Sequence, residues 1–223
     1  MTDAAVDHYI AGLTEDLRPV GRLRSPWIRA FGWLALVAAT GAVLAWFSDL
    51  GDVAYRLRFV PDMWLAVLGS TLTTVLGAIA TFQLSLPDRS ERWALLPLPG
   101  LALWIAASGM GCFRAWVIPD MHVADLTEAR DCFVFILGLS VPLSIVTVLM
   151  VRRAFPMRPN LTAATGGIAV AAAAATLLNF FHPYDAGATD IAVHVVAIGL
   201  VIAANRAIGG RLLTPGSGLL PRA

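Results

Sequence analysis

Six long apolar runs, separated by short polar segments, dominate the chain. They lie at 27–48, 62–84, 93–113, 132–151, 160–181 and 189–208. Each is close to the roughly 20 residues that an α-helix needs to cross the hydrocarbon core of a bilayer. The pattern predicts an all-α fold: a polytopic bundle of six transmembrane helices. We therefore divide the chain into an N-terminal segment (1–26), a transmembrane domain (27–208) and a C-terminal tail (209–223).

Prolines and small residues indicate how these helices pack. Pro97, Pro99 and Pro142 lie inside the predicted spans, so the third and fourth helices are expected to be kinked or to start late. The fifth run is rich in alanine and glycine, which let helix backbones approach closely, so we expect this helix in the bundle interior. Gly209 and Gly210 predict the end of the last helix, followed by a flexible tail.

The polar segment before the first span carries an apolar stripe. Ile10, Leu13 and Leu17 fall at helical spacing, and Pro19 is expected to end this helix because it has no amide hydrogen. The segment is too short to bury the stripe against itself. It either lies on the membrane surface or docks a partner protein. The candidate partner-binding residues are Leu13, Asp16, Leu17, Pro19, Val20 and Leu23.

Composition agrees with an integral membrane protein. The chain is 58% hydrophobic and 14% charged, whereas soluble domains carry about 25% charged residues. A net charge of +1 gives no case for direct binding to nucleic acid, and two cysteines are too few for a disulfide framework. The first 26 residues are polar and lack the apolar region of a signal peptide.

The arginines predict the orientation in the membrane. An even number of spans places both termini on one side, and that side holds about twelve of the 16 basic residues by these boundaries. The other side holds four, which are Arg56, Arg58, Arg114 and Arg130. Cytoplasmic loops carry the excess of basic residues, so we expect both termini in the cytoplasm.

Polar residues within the spans are few and lie near helix ends. Gln83, Asn179, His194 and Asn205 are expected to make interhelical hydrogen bonds rather than to bind a transported substrate. No recognisable set of catalytic residues and no phosphate-binding loop appears. The sequence therefore predicts neither an enzyme nor a bound cofactor.

The outer face collects the residues with the most distinctive chemistry. Cys112 closes the third predicted span, Cys132 opens the fourth, His122 lies between them, and His182 follows the fifth. Thiolate and imidazole are ligands that soft or borderline metals prefer, so a metal ion is one candidate partner here. A Cys112–Cys132 disulfide in an oxidising compartment is another interpretation. The third is that each cysteine is a small buried hydrophobe.

Several motifs resemble those of one family. The opening Leu-x-x-Asp-Leu-x-Pro-Val-x-x-Leu-x-x-Pro, from Leu13 to Pro26 and followed at once by six spans, resembles the NrsF-like negative regulators of ECF sigma factors. A cysteine opening the fourth span with a proline ten residues later, Cys132 and Pro142, is also similar, as is the run from Phe181 through Arg211 with its Gly-Gly-Arg-Leu-Leu.

The resemblance implies an anti-sigma factor of the bacterial inner membrane. Such a protein holds an ECF sigma factor inactive through its cytoplasmic N-terminal segment and releases it when metal or oxidative stress acts on periplasmic cysteines. The family commonly has a second cysteine in a His-Cys-Pro run of the last outer loop, where this chain has Phe181-His182-Pro183, so only Cys132 carries over. The alternatives are a small metal-handling transporter, using Cys112, Cys132, His122 and His182, and a structural subunit of a membrane complex.

Overall fold

The computed structural model describes residues 3–15, 22–117, 126–181 and 188–214, and within them it is helical with no strand. Six of the helices are long and apolar enough to cross a membrane, which confirms the predicted six-helix bundle and a multi-pass membrane protein. The helices are α1 (Asp3–Glu15), α2 (Pro26–Ala45), α3 (Leu50–Phe59), α4 (Pro61–Leu84), α5 (Leu98–Val117), α6 (Leu126–Arg152), α7 (Pro159–Leu178), α8 (Ala188–Ala204) and α9 (Gly210–Leu213). A 3₁₀ helix (Glu91–Leu95) precedes α5, and a π-helical turn (Asn205–Gly209) joins α8 to α9.

Helix α7 lies at the centre of the bundle, as its small residues predict. It packs against α4 on one side and against α6 and α8 on the other, while α2 and α5 pack mainly on α4. Residues 169–175 of α7 are all buried. Since alanine has little side chain to order and no polar atom, this surface lets the neighbouring helices come close at low entropic cost.

Glycines set the closest approaches between helices. A Cβ atom on Gly69 of α4 would lie 2.5 Å from the backbone nitrogen of Trp104 in α5, and one on Gly100 would lie 2.7 Å from the backbone nitrogen of Thr73. Real Cβ atoms do not come that near to backbone atoms. The α4–α5 pair therefore packs backbone against backbone at two points that only glycine permits.

The structural effects predicted for the prolines and for the two C-terminal glycines are found only in part. The third span does start late, since a 3₁₀ helix leads into α5 at Leu98. Pro142 is accommodated within the continuous helix α6. The predicted stop at Gly209 and Gly210 is wrong, because the helix continues to Leu213. Both glycines are buried against other helices, and a Cβ on Gly210 would lie 2.1 Å from Oδ1 of Asn160, so here glycine provides space for packing.

The sequence pattern did not predict helix α3. Asp49 caps it, with Oδ1 accepting hydrogen bonds from the backbone amides of Gly51 (2.9 Å) and Asp52 (3.1 Å). Val53 is buried, and Arg56 pairs with Asp52 at 2.8 Å. The helix is short and carries charges on one side, so an apolar-run criterion overlooks it, although a capping aspartate before an amphipathic run was a usable signal.

We expect Gly69→Ala to destabilise the bundle by about 1–3 kcal/mol, since the new methyl group meets the α5 backbone and cannot be relieved by rotating a side chain. Gly109→Ala is the matched control, because a Cβ there meets nothing within 4 Å. Thermal unfolding of the purified protein in detergent measures both. Equal stability of the two variants would contradict the close approach of α4 and α5.

Candidate functional site

Helix α1 presents its apolar side chains to solvent. Tyr9, Ile10 and Leu13 are 66%, 51% and 59% exposed. They fall within one turn of each other, and side chains three or four positions apart share a helix face. The predicted amphipathic helix is thus confirmed over residues 10–15, and it begins earlier than expected, at Asp3. Within the described residues α1 leaves this face open to a partner.

The rest of the predicted binding segment is only partly described. Leu23 is 43% exposed in the extended stretch 22–25 that leads into α2. The candidates Asp16, Leu17, Pro19 and Val20 lie outside the described residues. Of the six candidates, Leu13 and Leu23 are therefore the two whose exposure fits a partner-binding surface.

Cys132 is buried near the end of the bundle at which α6 begins. It is 6% exposed and belongs to an apolar cluster with Ile136 of α6, Ala174 and Leu178 of α7 and Ala197 of α8. Helix α6 begins at Leu126, so Cys132 lies nearly two turns inside the helix rather than at its start. The side chain therefore sits where α6, α7 and α8 meet, and any change in its size or polarity acts on that junction.

Cys112 lies in a different environment. It is half-buried on α5, five residues before that helix ends, and α5 packs mainly on α4. No disulfide joins the two cysteines. Both histidines of the predicted outer cluster, His122 and His182, lie outside the described residues. Among the residues that are described, no three His, Cys, Asp or Glu side chains come together as metal ligands.

Arg29 ties three helices together at the end of the bundle that carries the termini. It lies in the first turn of α2 and is only 7% exposed. Its guanidinium donates hydrogen bonds to Oγ of Ser85, just after α4, at 3.1 Å and to the backbone carbonyl of Met150 in α6, and it lies 5.0 Å from the ring centre of Phe82. An arginine in this position is stable because its donors are paired and its charge faces an aromatic ring.

The opposite end of the bundle is held by ion pairs. Arg114 near the end of α5 lies 2.6 Å from Oδ1 of Asp62 at the start of α4. Arg56 of α3 also donates to the backbone carbonyl of Asn179, just after α7, at 3.4 Å. The first contact joins α5 to α4, and the second joins α3 to the end of α7.

The polar residues of the spans follow the prediction in part. The amide nitrogen of Asn205 donates to Oγ of Ser144 in α6 at 2.9 Å, which confirms one interhelical bond. The amide of Asn179 instead bonds two carbonyls of its own helix. Gln83 is buried, and its Oε1 has no hydrogen-bond partner among the described residues.

Sequence reasoning missed Arg29, which it treated only as one of the basic residues that set orientation. The available signal was its position, since an arginine three residues inside an apolar run must find partners within the bundle or at the interface. Which partners it finds depends on the tertiary packing of α4 and α6, and no pattern along α2 encodes that.

Comparison with known protein families gives a match. The family described as NrsF, negative regulator of sigma F, matches residues 13–214. No curated protein and no solved structure matches the chain. Because the match covers most of the chain and includes the end of α1, the chain belongs to the NrsF family, whose name describes a negative regulator of a sigma factor.

Proposed function

We propose that this protein is an anti-sigma factor of the bacterial inner membrane that sequesters an ECF sigma factor through residues 1–26 and releases it when a periplasmic metal or oxidative signal acts at Cys132. The observation that carries the proposal is the exposed apolar face of α1, which has no described partner within the chain. The excess of arginine on the terminal side supports a cytoplasmic location for this segment and for the tail 209–223.

The charge of α1 favours a protein partner over the membrane surface. Helices that lie on anionic membranes are rich in Lys and Arg on their polar face. Helix α1 instead contains Asp3, Asp7 and Glu15 and no Lys or Arg. An anionic inner leaflet would repel it, whereas a sigma factor, which uses basic residues to contact DNA phosphates, offers a surface of opposite charge.

The apolar face is large enough to support binding. Burying a side chain the size of leucine contributes about 1.5–3 kcal/mol before ordering costs. Tyr9, Ile10, Leu13 and Leu23 together can therefore supply several kcal/mol in a groove of the partner. A sigma factor held by this surface stays at the membrane, away from core RNA polymerase.

We expect Leu13→Asp to weaken sigma binding by at least tenfold, because it places a charge in the middle of the apolar face. Ala11→Asp is the matched control, since Ala11 is also exposed but lies on another side of α1. The full-length variants are purified in detergent and titrated with the ECF sigma factors of the source organism. Equal loss of affinity in both variants would show that charge alone, and not the apolar face, matters.

Helix α6 offers a path from the outer face to this segment. Cys132 and Met150 lie on the same helix, 18 residues or about 27 Å apart. Met150 accepts a hydrogen bond from Arg29, which is four residues beyond the end of the N-terminal stretch at Ser25. A shift of α6 against α7 and α8 at Cys132 would therefore alter the hydrogen bond between Arg29 and Met150. That bond holds the start of α2, directly after the proposed sigma-binding segment.

We expect Arg29→Gln to bind sigma factor but to release it poorly on stimulation, because the shorter neutral side chain no longer reaches the α6 carbonyl. Losing a charged hydrogen bond also lowers stability by about 1.5–3 kcal/mol. Arg153→Gln is the control, since Arg153 is exposed near the same end of the bundle. A sigma-dependent reporter measures induction, and full induction in Arg29→Gln would contradict the path through α6.

Cys132 is the expected point of signal entry. A soft metal ion or an oxidant that reaches the sulfur of Cys132 would add bulk or charge to a junction of three helices. We expect Cys132→Ala to abolish induction by a soft metal ion or thiol oxidant, with basal repression retained, and Cys112→Ala to respond normally. The same reporter checks this, and a normal response of Cys132→Ala would show that the signal enters elsewhere.

The transporter alternative finds less support. A permeation path needs polar groups facing a cavity at mid-depth. Several described threonines in the spans instead donate to carbonyls of their own helix, as Thr73, Thr81 and Thr147 do at 2.7 Å. These bonds satisfy the threonines within each helix and leave them unsuited to passing a substrate along.

A further inference from the structure

We propose that the groove between α6 and α8 binds an anionic phospholipid, with one acyl chain lying along the groove and the phosphate at Arg152. The proposal is independent of sigma binding. It follows from the shape of the groove, from the polar residues in its floor and from an arginine at its end that makes no ion pair with any described residue.

The groove is a concave surface with a volume of about 580 Å³. Its rim is formed by exposed apolar side chains, including Val141 and Ile145 of α6 and Leu200 and Ile208 of the α8 side. Its floor is buried. A concave surface of this kind can hold a flexible acyl chain in one position. The convex face of a single lipid-facing helix cannot.

The groove is longer than the hydrocarbon depth of one lipid leaflet. On α6 it extends from Leu137 to Arg152, which is 15 residues or about 22 Å along the helix. One leaflet contributes about half of the 30 Å hydrocarbon core. A chain whose headgroup lies at the level of Arg152 can therefore remain inside the groove over its whole depth in that leaflet.

A π-helical turn shapes the inner half of the groove. The turn covers Asn205–Gly209, and Asn205, Ile208 and Gly209 all line the groove. π-Helical turns are rare and occur frequently at functional sites. The floor beside it is polar for a lipid-facing surface: Ser144 accepts a hydrogen bond from Asn205, and Oγ of Ser140 is buried with no hydrogen-bond partner in the described part of the chain.

The charge at the end of the groove selects the ligand. Arg152 lines this end, and within the described ranges it makes no ion pair. The acidic side chains described in the neighbouring loops are already engaged, Asp88 with Arg89 at 3.9 Å and Glu91 with Arg158 at 3.5 Å. A phosphate group satisfies Arg152, whereas a second copy of this apolar helix pair brings no counter-charge. Basic sites between helices on the cytoplasmic side are suited to anionic headgroups.

Native mass spectrometry of the full-length protein, titrated with phosphatidylglycerol or with phosphatidylcholine of the same chains, tests the proposal. We expect phosphatidylglycerol to bind at least five-fold more tightly, and Arg152→Gln to remove about five-fold of its affinity. Arg153→Gln, next to it but outside the groove, should change little. Equal affinity for the two lipids, or equal effects of the two arginine variants, would overturn the charge assignment.

A second pair of variants tests the groove itself. Ile145→Trp fills it from an exposed rim position and should abolish tight binding, whereas Val195→Trp, at an exposed position of α8 outside the groove, should not. Inorganic phosphate should fail to displace the lipid, because it lacks the acyl chain. Displacement by phosphate alone would overturn the groove assignment. A second contrary result would be an oligomer that Ile145→Trp dissociates while lipid binding stays intact. The groove would then be occupied by a second copy of the chain and not by lipid.

Discussion

The close packing of neighbouring helices around α7 is the constraint on which the rest of the structure depends. Because α7 is built from alanine and glycine, α4 and α8 approach its backbone directly: a Cβ on Gly77 of α4 would lie 3.1 Å from that of Ala169, and one on Gly167 would lie 3.0 Å from Cα of Ile202. Surfaces packed this tightly have few intermediate positions. Since tightly packed interiors transmit strain, we expect a change at one end of a helix to shift the whole helix.

Close packing of this kind connects the contacts at the two ends of α6. Cys132 occupies the junction of α6, α7 and α8 near one end, and the carbonyl of Met150 meets Arg29 at the other. Arg29 in turn stands beside the only described connection between α1 and the bundle, the extended stretch 22–25. Helix α6 thus joins the proposed signal site at Cys132 to the contact beside the proposed binding segment.

The sequence predicted those features that follow from the residue pattern within a single helix. Six apolar runs gave the six spans, and the alanine-rich run gave the central helix. It did not predict features that depend on which helices meet. Gly209 and Gly210 were interpreted as a helix end because glycine usually marks one, yet packing against α6 and α7 keeps the helix intact. Arg29 found partners 56 and 121 residues away, and that separation leaves no local signal.

The most direct measurement is site-specific photocrosslinking in cells, with the photoreactive residue at position 13 or, for comparison, at position 11 of α1. The proposal predicts that position 13 captures a sigma factor of RNA polymerase in unstressed cells, that position 11 captures far less, and that the signal that acts at Cys132 removes the crosslink. Capture of phospholipid at position 13, or of no partner in either condition, would contradict the claim that this exposed face holds a sigma factor.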